Sequence, residues 1–571
     1  MEFVLAVPSV EWQRSFGGSD GDEARCIQQT NDGGYIVGGG SRSNNGDITG
    51  NHGGYDFWVI KLDSMGIIEW QKAMGGSAYD EARYIQQTHD DGYIVAGYSH
   101  SNDRDVTVNH GSGDFWVVKL DLIGNIEWQK SLGGSSDDDI WWVEQTLDRG
   151  FILTGFSQSN DGDVTGHHGS TSNKDYWIVK LDSLGNIQWE KSLGGNRNDW
   201  AHSIQQTSDR GYIVAGYTYS NDGDIISHIG STDYADYWIV KLDSIADIQW
   251  QKVLGGSRND FGYSIRQTLD QGYIVLGKSN SNDYDVSGNN GNEDYWVVKL
   301  NANGSIKWQN CLGGSTSEEG SSIQETSDGG YILAGYSRSN DGDVSGHHGP
   351  TGYPYGDYWI VKLKSNGDIG WQKSLGGTND DSANYIQLTS DGGYILAGYS
   401  YSNNGDVTSN HGSYDYWIVK LSPDNIFILS LIPGWNLISI PLTLPVDASI
   451  YFPFLPAEVY QYSPSERRYF TSDSLYPGKG YWILSLVDTS ITITGLPLHS
   501  HRNTILPGWN MVGSLFEPCS TLTYTSNPSI FPPLYSYNLG RYIPAYTLIP
   551  GFGYWVLATD SVEVYMESGE H

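Results

Sequence analysis

At 571 residues the chain is too long for one ordinary compact core and long enough for two or three domains. Aromatic residues make up 13%, glycine numbers 72 and the formal net charge is −35. This balance fits a globular all-β protein and argues against disorder and against nucleic-acid binding, since an acidic surface repels phosphate backbones.

The opening residues, Met1 to Pro8, end their short apolar run in Val4-Leu5-Ala6, the small-residue ending of an export-signal cleavage site. No basic and long apolar stretch precedes it, so residues 1–8 are read as a residual export-signal or linker segment, with an ordinary strand as the alternative. No apolar run anywhere reaches the roughly 18–20 residues of a membrane span. Cys26, Cys311 and Cys519 lie too far apart for a disulfide framework or a metal spacing.

Residues 9–429 carry an internal repeat. The Trp of a W-Q-K-S-L-G-G-like segment recurs at Trp12, Trp70, Trp128, Trp189, Trp250, Trp308 and Trp371. An I-Q-Q-T segment, a D-G-G-Y-I-V-A-G-Y-S segment, a polar loop and a D-Y-W-I-V-K-L segment follow each time. Four short apolar runs split by Gly, Asn and Asp read as four antiparallel strands. Seven such units predict a seven-bladed β-propeller, which protects its sheet edges by radial packing. The first W-Q segment precedes the first complete inner strand, so the N-terminal strand is expected to complete the last blade. The rival for that place is Ile426 to Leu429. Trp58 and its six equivalents are expected to pack blade on blade. Lys61 and its equivalents are expected to pair with nearby carboxylates.

The segments G-G-S-x-x-D-x-x-x-x-I-Q-Q-T, Y-I-V-A-G-Y-S and D-Y-W-V-V-K-L-x-x-x-G-N-I-x-W resemble the bacterial β-propeller repeat called SBBP. The resemblance spans residues 9–421. It implies a propeller of an exported or cell-surface protein and no single activity.

Residues 430–571 change texture and carry a different duplication. Pro433-Gly434-Trp435-Asn436-Leu437 matches Pro507-Gly508-Trp509-Asn510-Met511, and Gly480-Tyr481-Trp482 matches Gly553-Tyr554-Trp555. Two repeats, 430–503 and 504–571, are expected to form a small β-rich module. They resemble the G-W-N-L-I-S-I-P modules near the ends of exported microbial proteins. Their Trp and Tyr residues are read as core, with stacking on sugars as the alternative.

Three constellations could carry chemistry. Asn and Asp recur in the polar loops, including Asp161, Asp163, Asp341 and Asp343, and could hold Ca²⁺; Asx-turns explain them without a metal, and no other cofactor is expected. Histidines in the same loops (His52, His110, His168, His348 and His411) read as turn-stabilising hydrogen-bonders. The approach to each inner strand carries an acid: Asp22, Asp80, Asp138, Asp199 and Asp260 in the first five units. Three residues later the repeats diverge, to Arg25, Arg83, Trp141, His202, Tyr263, Ser321 and Asn384. Divergence at one place among near-identical repeats is what an asymmetric pocket at the channel mouth requires. Trp141 and Tyr263 would stack on a sugar, and Arg25, Arg83 and His202 would contact carboxylates or hydroxyls.

These readings favour an extracellular or cell-surface propeller that binds a polysaccharide or a surface protein without catalysis, acting as a monomer. The alternatives are a polysaccharide-cleaving enzyme, with His202 and Tyr263 as base and acid if a lyase, and a structural surface or matrix component.

Overall fold

The computed structural model describes residues 3–5, 7–349, 355–448, 452, 459–495, 497–516, 518–521, 524, 527–538 and 540–567. Its named elements are all strands. The chain divides into two compact units, Ser9–Thr389 with Tyr394–Leu421, and Met1–Pro8 with Ser390–Gly393 and Ser422–His571.

The first unit is the seven-bladed propeller. Its innermost strands are Asp22–Gln29, Asp80–Gln87, Asp138–Gln145, Asp199–Gln206, Asp260–Gln267, Glu318–Glu325 and Asp381–Leu388, which number blades 1 to 7. Three further antiparallel strands extend each blade outward, as in blade 1 with Tyr35–Ser41, Asp56–Leu62 and Ile68–Met74. Each innermost strand packs beside the next, and that of blade 7 returns to that of blade 1.

Blade 7 takes its outermost strand from the start of the chain: Val10–Phe16 pairs with Asp415–Leu421. The bond made by Gln71 to the Trp58 indole N–H in blade 1 (3.0 Å) is made here by Gln13 to Trp417 (2.7 Å). The rival segment does not close the ring.

Two aromatic joints hold neighbouring blades together. Trp58, Trp116, Trp177, Trp238, Trp296, Trp359 and Trp417 are almost fully buried. Each packs on the Tyr or Phe preceding the equivalent Trp of the blade before, at centroid distances of 4.4–4.6 Å. Where that residue is Tyr, its hydroxyl also donates to the Trp carbonyl, including the closing bond from Tyr416 to Trp58 at 3.0 Å. Farther out, Trp12 of blade 7 meets Tyr35 of blade 1 edge-on, and the other six outer Trp residues repeat the contact. The repeated lysines pair as expected, for example Lys61 with Asp32 and Glu69, both at 2.9 Å.

The second unit holds two copies of one eight-strand pattern. In the first copy Gly434–Ile438, Tyr481–Ser485, Tyr460–Ser463 and Arg468–Thr471 lie in that order in one sheet. Gly508–Val512, Tyr554–Ala558, Ile530–Asn538 and Arg541–Ala545 repeat it. Two boundaries differ from the sequence reading. Asn425–Leu431 pairs with Thr489–Thr494 and belongs to this unit, so the propeller ends at Leu421 rather than 429. Ser500–Ile505 pairs with Val562–Glu567, so the second copy begins before 504. Each G-W-N strand is the second of its repeat, and the motif made the first invisible. Within the opening segment, Phe3–Leu5 pairs with Asn425–Phe427 as a short strand.

Deleting residues 9–16 removes the closing strand and exposes the Asp415–Leu421 edge, a template for association. The expected outcome is loss of a single cooperative melting transition and self-association on size-exclusion chromatography.

Candidate functional site at the channel mouth

The divergent residues sit at a backbone irregularity common to all seven inner strands. Pairing with the second strand slips between the third and fifth residues, as between Ala24 and Cys26 or Ala201 and Ser203. The fourth residue is a β-bulge in every blade: Arg25, Arg83, Trp141, His202, Tyr263, Ser321 and Asn384. A bulge re-aims the side chain it carries. A glycine on the second strand makes room for it: a Cβ at Gly39, Gly97 or Gly216 would overlap the carbonyl oxygen of the inner strand's second residue.

All seven bulged residues line one cavity of about 350 Å³. Its wall is asymmetric. Blades 1 to 3 supply charge: Arg25 Nε donates to Glu81 at 2.8 Å and Arg25 Nη1 reaches Glu23 at 2.7 Å, while Arg83 lies 3.3 Å from Glu81 and 3.6 Å from Asp139. Glu81 is 1% exposed, and its carboxylate stays ionised because the two guanidiniums offset its burial. Blades 3 to 5 supply aromatic faces. Arg83 stacks on Trp141 at 4.3 Å, Trp141 lies 4.6 Å from His202, and Tyr263 meets His202 edge-on at 5.1 Å. Tyr217 stacks on both His202 and Trp200. Blades 6 and 7 supply the small polar groups Ser321 and Asn384.

The fifth residues of three inner strands, Tyr84, Trp142 and Tyr385, also line the cavity. Tyr84 and Tyr385 join hydroxyls at 3.0 Å across blade 1, and Arg266 reaches over from blade 5 to lie 4.2 Å from the Trp142 ring. Side chains from four blades thus meet across the channel beneath the cavity. On the outer side, a second depression of about 370 Å³ is lined by Asn173, Arg197, Asn198, Trp200, Tyr217 and Tyr219. Trp200 and Tyr217 belong to both, so an aromatic path leads from the cavity over the rim.

Trp200, Glu319, Tyr217, Tyr84, Trp142 and Tyr385 were not among the sequence candidates. Their columns diverge as the fourth does: the fifth reads Cys26, Tyr84, Trp142, Ser203, Ser264, Ser322 and Tyr385.

Two sets of candidates lie elsewhere. Asp22, Asp80, Asp138, Asp199 and Asp260 do not line the cavity; all are at most 1% exposed. Each accepts the amide of the second glycine of the Gly-Gly pair and a hydroxyl at or just beyond the end of the second strand, as Asp22 does from Gly18 (2.8 Å), Ser43 (2.9 Å) and Ser41. They brace the turn between blades. Asp161, Asp163, Asp341 and Asp343 accept backbone amides at 2.7–3.3 Å from Ser135, Gly133, Ser315 and Gly313. Among the described residues no three His, Cys, Asp or Glu side chains are grouped to hold a metal. The loop histidines bond the acid that opens the third strand, as His168 Nδ1 does with Asp175 at 2.9 Å.

Burial and then a neighbouring acid push several carboxyls up, both among these inner-strand acids and among the acids that open the third strands. Asp199 and Asp236 rise to about 8, Asp260, Asp294 and Asp381 to about 7, and Asp22, Asp56 and Asp138 to about 6. In the cavity, burial and then Arg83 hold His202 down at about 3, so its ring is neutral; burial raises the Tyr263 hydroxyl well above its ordinary value.

No protein-family model and no curated protein matches the chain. Among solved structures it is similar to Sqt1 from Chaetomium thermophilum, at 11% identity over 71% of this chain and 87% of that one, with a TM-score of 0.36. It is also similar to a glycoside hydrolase family 32 structure from Bifidobacterium adolescentis (10% identity, 73% and 81% covered, TM-score 0.24). The Bombyx mori GH32 beta-fructofuranosidase BmSUC1 is a third (12%, 73% and 90%, 0.25).

Two outcomes follow from these electrostatics. A carboxyl whose pKa is raised on folding favours the folded state at low pH and loses that advantage as pH climbs from about 4 through its folded value. The depressed His202 acts oppositely below about 6.5, and Asp32, held near 2 with Lys61 beside it, does so below about 4. The raised carboxyls outnumber them, so the melting temperature at pH 5 should exceed that at pH 8 in calorimetry. Glu81→Gln leaves Arg25 and Arg83 facing each other without their shared counter-charge. It should cost about 3–5 kcal/mol in urea unfolding.

Proposed function

We propose that this chain is an extracellular glycan-binding propeller that holds its ligand in the channel-mouth cavity without cleaving it. The observation that carries this is the convergence on one cavity of the seven bulged side chains, which are of six residue types. The columns that pack one blade on the next, such as that of Trp58, are nearly uniform, whereas those lining the cavity differ from blade to blade. Aromatic faces at Trp141, Trp200, Tyr217 and Tyr263 suit the apolar faces of sugar rings, and Arg25, Ser321 and Asn384 supply hydrogen-bonding groups for hydroxyls. The path over Trp200 and Tyr217 toward Tyr219 gives a linear chain a way across the rim. An exported location is in keeping with the SBBP-like repeats and G-W-N modules.

Catalysis fits the same cavity poorly. Glycoside hydrolysis needs two carboxyl groups flanking one bond. Of the lining residues only Glu319 is an acid, and Lys278 pairs with it at 2.9 Å. Glu81 is closed off by two arginines and by Tyr79. A lyase would need a base and an acid with pKa values near the working pH, and His202 and Tyr263 are displaced away from it in opposite directions.

A glycan-array screen followed by calorimetry on retained polysaccharides tests the reading. Binding should weaken about 30-fold in Trp141→Ala or Trp200→Ala, the loss of a central aromatic anchor, with intact polysaccharide recovered afterwards. Shortened or unsaturated products would establish an enzyme instead, and an empty array would remove the glycan.

A further inference from the structure

The duplication in the second unit builds a second kind of site. Its two copies meet about a local twofold: Ser439 N donates to Gly551 O at 2.9 Å and Gly513 N to Gly478 O at 2.8 Å, equivalent bonds in opposite directions. Around this seam lie two clefts of about 470 and 410 Å³. The first is lined by Trp435, Tyr460, Tyr469, Trp482, Tyr537 and Tyr542, and the second by Trp509, Tyr535, Tyr542, Trp555 and Tyr462. The walls correspond copy for copy, except that Tyr469, the counterpart of Tyr542, lines the first cleft alone. Trp435 meets Trp482 at 6.3 Å and 87°, and Trp509 meets Trp555 at 6.2 Å and 89°. Each cleft borrows from the other copy: Tyr537 packs against Trp482 and Tyr542 joins it in the first, and Tyr462 packs against Trp555 in the second. Tyr542 lines both.

A core has no reason to leave these rings in water. Trp435, Trp509, Tyr469 and Tyr542 are 42–54% exposed. We propose that the two clefts are equivalent docking sites for proline-rich peptide in the polyproline II conformation.

The lining chemistry selects this ligand. In a chain of net charge −35, no charged side chain lines either cleft. The complement is therefore an uncharged segment, not a phosphate, a uronate or a basic peptide. No amide side chain lines them either; the polar groups are tyrosine hydroxyls and indole N–H groups alone. A sugar chain brings several hydroxyls per ring, and most would lose water here without gaining a partner. A polyproline II strand presents apolar pyrrolidine rings and a few carbonyls, and its conformation is preformed. Perpendicular walls form corners that grip a rounded ring on two sides, whereas a pyranose stacks best on one flat face. Two adjacent, equivalent clefts with a common wall suit a ligand whose own chemistry repeats.

The test is calorimetry on the full chain with a proline-rich peptide carrying one Pro-x-x-Pro core. The same peptide with its prolines replaced by glycine, and neutral xylo-, cello- and manno-oligosaccharides, serve as comparators. Two peptides should bind per chain. Trp435→Ala or Trp509→Ala should each reduce this to one, the double variant should bind none, and Trp→Phe at either position should restore weaker binding. Tyr546→Ala, at an exposed aromatic of the same unit outside both clefts, should leave the stoichiometry at two. No binding by the proline peptide, equal binding by its glycine counterpart, binding indifferent to both Trp→Ala changes, or oligosaccharides bound in its place would each overturn the proposal. None of these results bears on the channel cavity, whose own variants lie in the other unit.

Discussion

The propeller depends on one contact made seven times: a buried Trp in the third strand of a blade packed on the Tyr or Phe of the blade before. Aromatic pairs of this geometry contribute roughly 0.5–1.5 kcal/mol beyond the area they bury. The joint also fixes direction. Each Tyr reaches forward to one Trp carbonyl, so a blade is docked at a set angle to its neighbour. Six repetitions bring the seventh blade back to the first, and Tyr416 makes with Trp58 the bond that Tyr176 makes with Trp238. The final blade is then completed by Val10–Phe16, whose Gln13 and Trp12 make the same contacts as their counterparts. Closure needs no special chemistry, only the repeat's own contacts made between the two ends of the propeller, and each blade keeps only short edges at the channel and at the rim.

A frame held from its middle and outer strands leaves the inner strands free to differ. The bulge turns that freedom into a site. Because Gly39 and its equivalents admit the displaced carbonyl, every inner strand can kink at the same point and present its fourth residue to the channel. Uniform columns carry the packing, so a substitution there would disturb the joint its blade makes; the fourth and fifth columns stand at the channel and tolerate more variety, although several still bond the neighbouring inner strand, as Cys26 does Ile85 and Asn384 does Ala24. The charged, aromatic and small polar sectors of the cavity are the result.

Most of this frame was legible in the sequence, because a repeat of about 60 residues displays each structural role seven times. The fourth column was legible for the opposite reason, as the place where the roles disagree. Two parts were hidden. The acids from Asp22 to Asp260 look like channel residues, since they stand beside the divergent column. Their true partners, Ser41 and Ser43 in the case of Asp22, lie about twenty residues downstream, on the far side of a hairpin. The fifth column was hidden by the bulge itself. Regular alternation assigns Tyr84, Trp142 and Tyr385 to the blade interior, and one extra residue in the strand returns them to the channel. In the second unit the strands Asn425–Leu431 and Ser500–Ile505 fell outside the expected repeat because they lack the G-W-N signature and are recognised only by what they pair with.

The two units also show how a repeat sets the number of sites it makes. Seven copies that face a common axis and diverge on their facing residues merge into one asymmetric cavity, since each contributes a different group to a shared space. Two copies that face each other across a local twofold, and keep the same aromatics, make two equal clefts, since each wall appears twice. In the second case equality is enforced by packing. Tyr537 supports Trp482 and Tyr462 supports Trp555, so each cleft is built partly by the other copy. A change in one hairpin alters both clefts, and that mutual dependence opposes the drift that made the channel residues unlike.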